Sequence, residues 1–104
     1  MRYAAKVDAT HQEIRDGLRK AGFSVFDASK LGAGFPDLVV GKHGRTYLIE
    51  VKTPRGSKTA QERLGAAQAA FRDAWRGGPV LACQSLEDAL FDIKCYQMKM
   101  GFVK

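Results

Sequence analysis

The sequence predicts an α/β fold in which a central mixed sheet is flanked by helices, in the order α-β-β-β-α-β-α. Three observations predict it: apolar residues recur at helical spacing in three stretches, β-forming residues dominate the middle of the chain, and glycine or proline separates these segments. The 104 residues fit one domain, 1–104, without a linker. The predicted elements cover, in chain order, residues 9–20, 23–27, 37–41, 46–52, 64–75, 79–83 and 86–102.

The first helix and the first strand are predicted from the residues that precede the glycine-rich region. Thr10 and Glu13 have the spacing of a capping box, and apolar residues follow at helical spacing until Gly22. A short β-rich segment, 23–27, comes next. The glycine- and proline-rich residues 31–36 are predicted to form a loop that leads into the second strand.

The second and third strands are predicted to form a hairpin. His43 and Gly44 would be the two central residues of its turn, because glycine at the second position tolerates the positive φ of a type I′ turn. This register places Leu38 opposite Ile49 and gives the hairpin one apolar face.

The other face of the hairpin carries the residues that could perform chemistry. The register places Asp37 opposite Glu50, and directly opposed residues have Cβ atoms about 4.5–5.5 Å apart. Side chains alternate along a strand, so Lys52 shares the face of Glu50 whereas Val51 points into the core. The sequence therefore predicts two carboxylates and a lysine on one small patch.

Two carboxylates at this distance repel each other unless a positive charge lies between them. A divalent cation would supply that charge, and oxygen ligands favour Mg²⁺, for which Mn²⁺ could substitute. The carbonyl of Val51 could face the same ion, and Lys52 could assist an attacking water or the phosphate charge. The alternative is that Asp37 merely begins a strand while Glu50 and Lys52 form a surface ion pair.

The last three elements complete the predicted fold. Residues 64–75 carry apolar side chains on one side and stop at a glycine pair, residues 79–83 form a short apolar strand, and Ser85 is suited to cap the final helix. That helix carries two apolar stripes, the first formed by Leu86, Leu90, Ile93 and Met100 and the second by Phe91, Cys95, Met98 and Phe102. One small core can cover only one stripe, which predicts a homodimer; the alternative is that the tail folds back over Phe91.

Charge and composition indicate the class of partner. The net charge is +6, and a polyanion such as DNA would suit the basic residues of the central region, although they could also form a merely solvated face. The predicted DNA-binding residues are Lys42, Arg45, Arg55, Lys58 and Arg63. His11 and His43 are expected at the surface, and His43 is assigned no catalytic role.

Several classes of protein are not expected. No apolar run has the length of a membrane span, and the first ten residues do not have the pattern of a signal peptide. Cys83 and Cys95 lack metal-ligand spacing, which favours reduced thiols in a cytoplasmic protein. The segment around Lys58 lacks the spacing of a phosphate-binding glycine loop, so no nucleotide cofactor is expected.

Two short motifs and a glutamine of the sequence resemble those of a known family. Gly34-Phe-Pro-Asp37, then Leu48-Ile-Glu50-Val-Lys52, then Gln68 on the following helix, are similar to the VRR-NUC branch of the PD-(D/E)XK nucleases. The likeness is greatest to the small stand-alone members of bacteriophages and bacteria, and it extends over about residues 8–90.

The resemblance implies a restriction-endonuclease-like core and metal-dependent hydrolysis of phosphodiester bonds, in relatives that act on the branched or flapped DNA of repair and recombination. It implies Asp37 and Glu50 as metal ligands, Lys52 as the catalytic lysine, and Gln68 as a polar group of the active site, with Gln61 as an alternative. Glu13 matches a carboxylate that some members supply to the metal. The alternatives are a DNA-binding relative without catalysis and a phage interaction protein on the same fold.

Overall fold

A computed structural model describes residues 9–54 and 56–101 of the chain. The order of elements is α-β-β-β-α-β-α, with a short 3-10 turn before the second helix, so the predicted order and the α/β class are confirmed. The elements are α1 (Ala9–Lys20), β1 (Ser24–Asp27), β2 (Leu38–Lys42), β3 (Arg45–Val51), the 3-10 turn (Gln61–Arg63), α2 (Ala66–Ala74), β4 (Val80–Cys83) and α3 (Leu86–Lys99). In these ranges no helix combines the length and the apolar character needed to cross a membrane.

The four strands form one mixed sheet in the order β1-β2-β3-β4. β2 is antiparallel to both β1 and β3, whereas β3 and β4 are parallel. The parallel pair is possible because α2 returns the chain from the end of β3 to the start of β4, as parallel strands require a crossover connection. β1 and β4 are consequently the two edge strands.

The hairpin between β2 and β3 has the predicted register. Leu38 is paired with Ile49, and the turn residues His43 and Gly44 have φ angles of 54° and 76°. Positive φ at both central residues is the signature of a type I′ turn. The two strands therefore present the faces that the sequence predicts.

The hydrophobic core lies between one face of the sheet and the helices α1 and α3. Residues of β2 and β3 alternate between this face and the opposite one, as strand geometry requires. The buried members are Ile14, Leu18, Leu38, Val40, Tyr47, Ile49, Cys83, Ala89 and Ile93. We call this the core face of the sheet, and the other the open face.

The helix α3 begins as predicted but presents a different stripe to the core. Ser85 caps it, since its Oγ accepts a hydrogen bond from the backbone N–H of Asp88 at 3.0 Å. Ala89 and Ile93 are buried, whereas Leu90 and Met100 are 38% and 51% exposed, so the predicted first stripe is wrong for the latter two. Ala89 and Ile93 lie on the core side of the helix, and this orientation turns Leu90 outwards.

The second stripe of α3 faces solvent. Phe91 and Met98 are 68% and 61% exposed, and Cys95 is exposed as well. The helix ends at Lys99 rather than at the predicted residue 102, and Phe102 lies outside the described residues.

Candidate active site

Asp37 and Glu50 meet on the open face, at the end of the sheet where β2 begins and β3 ends. Val39 is paired with Leu48, and two residues farther along the hairpin Asp37 and Glu50 continue the same alternation. The Oδ2 atom of Asp37 accepts a hydrogen bond from the backbone N–H of Val51 at 2.8 Å, which fixes this carboxylate beside β3. The structure thus brings the two predicted carboxylates together.

Glu50 is a buried acid without a full counter-charge. Only 6% of the residue is exposed. This burial, the negative charge of Asp37 and a hydrogen bond between the two carboxyl groups raise the pKa of Glu50 to about 8, and Lys52 offsets the effect only in part. The two acids therefore repel each other unless a positive charge lies between them.

Gln68 connects the acid to the lysine. Its Nε2 donates to Oε2 of Glu50 at 2.5 Å, and its Oε1 accepts from Nζ of Lys52 at 3.0 Å. The same Oε1 accepts from the backbone N–H of Gly65 at 2.9 Å, which holds the glutamine against the start of α2. Gln61, the alternative, is exposed in the 3-10 turn. We call Asp37, Glu50, Lys52 and Gln68 the carboxylate cluster.

A cleft of about 450 Å³ opens beside the carboxylate cluster. It is lined by both acids, by Gln68 and the first turn of α2, and by the loop that precedes β2. Gly34 of this loop lies so close to α2 that a Cβ there would be 2.5 Å from the carbonyl oxygen of Ala67, and its φ is +82°. Both facts require glycine at position 34. The loop that contains it can therefore lie against α2 and form one wall of the cleft.

The donor set of the cluster fits a hard divalent cation. Two carboxylates that repel each other in a buried place, beside a cleft open to water, are the chemistry that Mg²⁺ and Mn²⁺ select. Over residues 9–54 and 56–101, however, no group of three or more His, Cys, Asp or Glu side chains is placed to hold a metal. Two protein carboxylates with water as the remaining ligands would be the arrangement here.

One of the predicted ligands does not join the carboxylate cluster. Glu13 is exposed on α1 and forms no metal-binding group with Asp37 and Glu50 in the described chain. The helix already includes Thr10, so the predicted capping box is wrong as well, because a capping residue precedes the first helical turn. Val51 contributes its backbone N–H to the cluster, and the role of its carbonyl as a ligand stays a prediction.

The structure separates the predicted DNA-binding residues into two groups. Lys42 and Arg45 lie beside the hairpin turn, about 17 Å along β2 from Asp37, given about 3.3 Å per strand residue. The ammonium of Lys42 donates to the carbonyl of Ala21 at 2.8 Å, so its role is at least partly structural.

The other basic residues follow β3 at the carboxylate end. Lys58 is exposed in that loop, whereas Arg63 is half-buried and donates from Nη2 to the carbonyl of Thr53 at 2.6 Å. Arg55 lies outside the described residues.

A second polar cluster, on the core face, was missed by the sequence analysis. His11 is only 7% exposed, contrary to the expectation of a surface residue, and its Nε2 lies 2.9 Å from Oδ2 of Asp27. Ser29 donates to Oδ1 of Asp27 from its hydroxyl at 2.6 Å and from its amide at 3.0 Å, and Nη1 of Arg15 lies 3.5 Å from Oδ2. We call these four residues the Asp27 cluster.

The electrostatics of the Asp27 cluster are the reverse of those of Glu50. Burial alone would raise the pKa of Asp27, but the hydrogen bonds from Ser29 and His11 outweigh it and lower that pKa well below its ordinary value. A signal was present in the sequence, because His11 precedes Ile14 and Leu18 at helical spacing and therefore belongs to the buried side of α1.

Comparison of the sequence with protein-family models finds no match, and comparison with curated proteins finds no relative.

Proposed function

We propose that this protein is a divalent-metal-dependent DNA endonuclease that hydrolyses phosphodiester bonds. The observation that carries the proposal is the meeting of Asp37, Glu50, Lys52 and Gln68, joined by hydrogen bonds beside an open cleft. A buried acid with a raised pKa beside a second acid, with a lysine held a short distance away, is an arrangement typical of functional sites.

Each residue of the carboxylate cluster has a distinct task in this proposal. Asp37 and Glu50 would hold Mg²⁺ or Mn²⁺ as carboxylates, in place of any proton on Glu50. The bound ion would supply charge neutralisation of the phosphate and a lowered pKa of water. Lys52 would donate a hydrogen bond to a phosphate oxygen as negative charge grows there.

Gln68 acts through its neighbours. It donates to Glu50 and accepts from Lys52, so it fixes the distance between the acid and the ammonium. The backbone N–H of Gly65 holds the glutamine in this orientation. The first turn of α2 lines the same cleft, and its free N–H groups favour a phosphate there.

DNA is the proposed substrate class. The net charge of +6 favours a polyanion, and the resemblance to VRR-NUC nucleases favours branched, flapped or junction DNA over a particular sequence. The same chemistry would serve RNA, so an RNA substrate belongs in the test.

A cleavage assay tests the proposal. Labelled flaps, forks, four-way junctions, linear duplexes and a matched RNA would be incubated with the protein in Mg²⁺, Mn²⁺ or EDTA. We expect cleavage of at least one branched DNA with either metal and none in EDTA. Equal products in EDTA, or no cleavage of any substrate with either metal, would contradict the proposal.

One observation favours a second candidate, a DNA-binding module without catalysis. The described residues offer two carboxylates and no third acidic ligand near them. DNA binding in the absence of cleavage, at any metal concentration, would favour this candidate. Loss of both binding and cleavage would favour a phage interaction protein that uses the fold as a scaffold.

The partner on the outer side of α3 is proposed to be a second copy of the chain. Phe91 and Met98 are largely exposed on this side, which leaves an apolar surface on a helix whose other side is in the core. Light scattering after gel filtration should give the mass of a dimer for the wild type and of a monomer for Phe91→Glu with Met98→Glu. A monomeric wild type at tens of micromolar would remove this interface.

A further inference from the structure

The side chain of Phe26 is 65% exposed although it lies within the sheet. It belongs to the edge strand β1, where Val25 faces the core and Phe26, the next residue, faces the open side. Neither α1 nor α3 can cover it, because both pack on the core face. In the described chain the aromatic ring contacts are Phe35 with Phe71, Phe71 with Trp75, and Tyr47 with Tyr96, and Phe26 has no place among them.

Phe26 lies close to the carboxylate cluster on the same face. It is paired with Val39, and Asp37 is two residues before Val39 on β2, so Phe26 and Asp37 are diagonal neighbours. Such neighbours lie about 7–8 Å apart. The large exposed ring thus lies next to the acid that is proposed to hold the cation, at a distance that one nucleotide can span.

An exposed aromatic ring beside the proposed cleavage site is suited to bind a nucleobase. Base–aromatic stacking stabilises bound single strands, and it is tolerant of sequence because every base has a π-face. A base within a duplex already has neighbours on both of its faces. Only an unpaired base can present a face to Phe26 while its own phosphate lies in the cleft.

We propose that Phe26 stacks on an unpaired nucleobase adjacent to the phosphate that is cut, and so selects DNA with an unpaired strand. This inference rests on the proposed function, which supplies the phosphate at Asp37 and Glu50. The net positive charge favours a nucleic acid over an apolar protein segment as the occupant of this surface. Structure selectivity would then have a physical origin in one side chain.

Binding to two labelled oligonucleotides in EDTA tests the inference without cleavage. One is a fork with unpaired arms, and the other is a fully paired duplex of the same length. We expect Phe26→Ala to weaken fork binding by about 5- to 150-fold, the range typical of one stacked base, and to leave duplex binding within about twofold. Phe26→Trp should retain the preference for the fork.

Two further variants separate stacking from packing and from general loss of apolar surface. Phe26→Leu keeps an apolar side chain without an aromatic face and should behave as Phe26→Ala. Met100→Ala removes an apolar side chain of comparable exposure from the end of α3, outside the proposed dimer surface, and should leave the fork-to-duplex ratio unchanged. A 2-aminopurine base next to the junction should be quenched by the wild type and not by Phe26→Ala.

The possible results distinguish the inference from the function on which it rests. An unchanged fork-to-duplex ratio in Phe26→Ala, or wild-type behaviour of Phe26→Leu, would overturn the stacking role. If Phe26→Ala has a different mass from the wild type in light scattering, Phe26 forms a contact between copies of the chain, and the stacking role is overturned. If fork selectivity depends on Phe26 but the protein cleaves no substrate with metal, the stacking inference is supported and the proposed nuclease function is rejected. If the protein binds no DNA at all, both are rejected.

Discussion

The Asp27 cluster and the carboxylate cluster lie at the same end of the sheet, on opposite faces. They differ in how far neighbouring groups compensate the negative charge of the acid. Asp27 is surrounded by donors, namely the hydroxyl and amide of Ser29, the ring of His11 and the guanidinium of Arg15. Glu50 is buried beside a second acid, with one lysine and one amide as partners. The pKa of Asp27 is accordingly lowered and that of Glu50 is raised to about 8.

The difference separates a structural carboxylate from one that is suited to a ligand. Charges that serve only the fold are normally satisfied within the fold, since an uncompensated buried charge is costly. The Asp27 cluster meets this rule and holds α1 against the end of β1. The carboxylate cluster departs from it beside an open cleft, which is where a cation could enter.

The largest expected effect concerns the lysine of the carboxylate cluster. Lys52→Ala should reduce cleavage by roughly 10²- to 10⁴-fold, because Lys52 is placed to stabilise charge in the transition state and not to fill the core. Single-turnover rates at saturating DNA would measure this. Lys94→Ala, which removes an exposed lysine from α3, is the matched control and should cut at the wild-type rate.

Wild-type turnover by Lys52→Ala would remove the lysine from the mechanism. Circular dichroism should show that this variant is folded, since Lys52 follows the last residue of β3 and its ammonium bonds only to a side chain among the contacts described.

Thermal unfolding without metal should sharpen the comparison between the two acids. Asp27→Asn should lower the free energy of unfolding at pH 7 by about 1–3 kcal/mol, because charge-assisted hydrogen bonds are lost beside a buried histidine. Since the pKa of Asp27 is lowered in the fold, its contribution is present above the ordinary carboxyl pKa and fades as the pH falls through that value.

Glu50→Gln should have the opposite sign in the same experiment. The folded pKa is raised to about 8, so the wild type is most stable below the ordinary carboxyl pKa and loses stability as the pH rises towards 8. The variant should therefore be more stable than the wild type by at least about 1.4 kcal/mol at pH 9, the equivalent of one pKa unit, and similar to it at pH 4. Equal stabilities at pH 9 would show that the Glu50 charge is already compensated.

The smallest effect concerns the basic residues. Lys58→Ala should weaken DNA binding a few-fold and reduce the slope of log affinity against log salt by about one, as expected for one lost phosphate contact. Arg45→Ala, at the far end of the hairpin, should change neither quantity. A larger loss with Arg45→Ala would indicate that DNA extends over the hairpin end of the sheet.

Local patterns in the sequence were sufficient to predict the hairpin and to predict which of its faces carries the carboxylates. The glycine at the turn and the alternation of apolar residues determine the register of β2 and β3, and that register alone brings Asp37 to Glu50. The order of elements was predictable for the same reason, because periodicity and glycine or proline breaks act over short distances.

The features that the sequence did not predict depend on contacts between distant segments. The bond between His11 and Asp27 joins residues that are 16 positions apart, and a helical histidine gives no sign of its partner. The rotation of α3, which buries Ala89 and leaves Leu90 outside, depends on how the helix packs against α1 and the sheet. The predicted DNA-binding residues fall within positions 42–63, but Lys42 and Lys58 lie beyond opposite ends of the seven-residue strand β3.

The most direct test of the account is calorimetry of Mn²⁺ binding to the wild type and to three variants. Asp37→Asn and Glu50→Gln each remove one formal charge from the proposed ion site, and both should lower Mn²⁺ affinity by at least about tenfold. Asp27→Asn removes an equivalent charge on the opposite face and should leave Mn²⁺ affinity unchanged. Wild-type affinity in both Asp37→Asn and Glu50→Gln would contradict the claim that these two carboxylates share a cation.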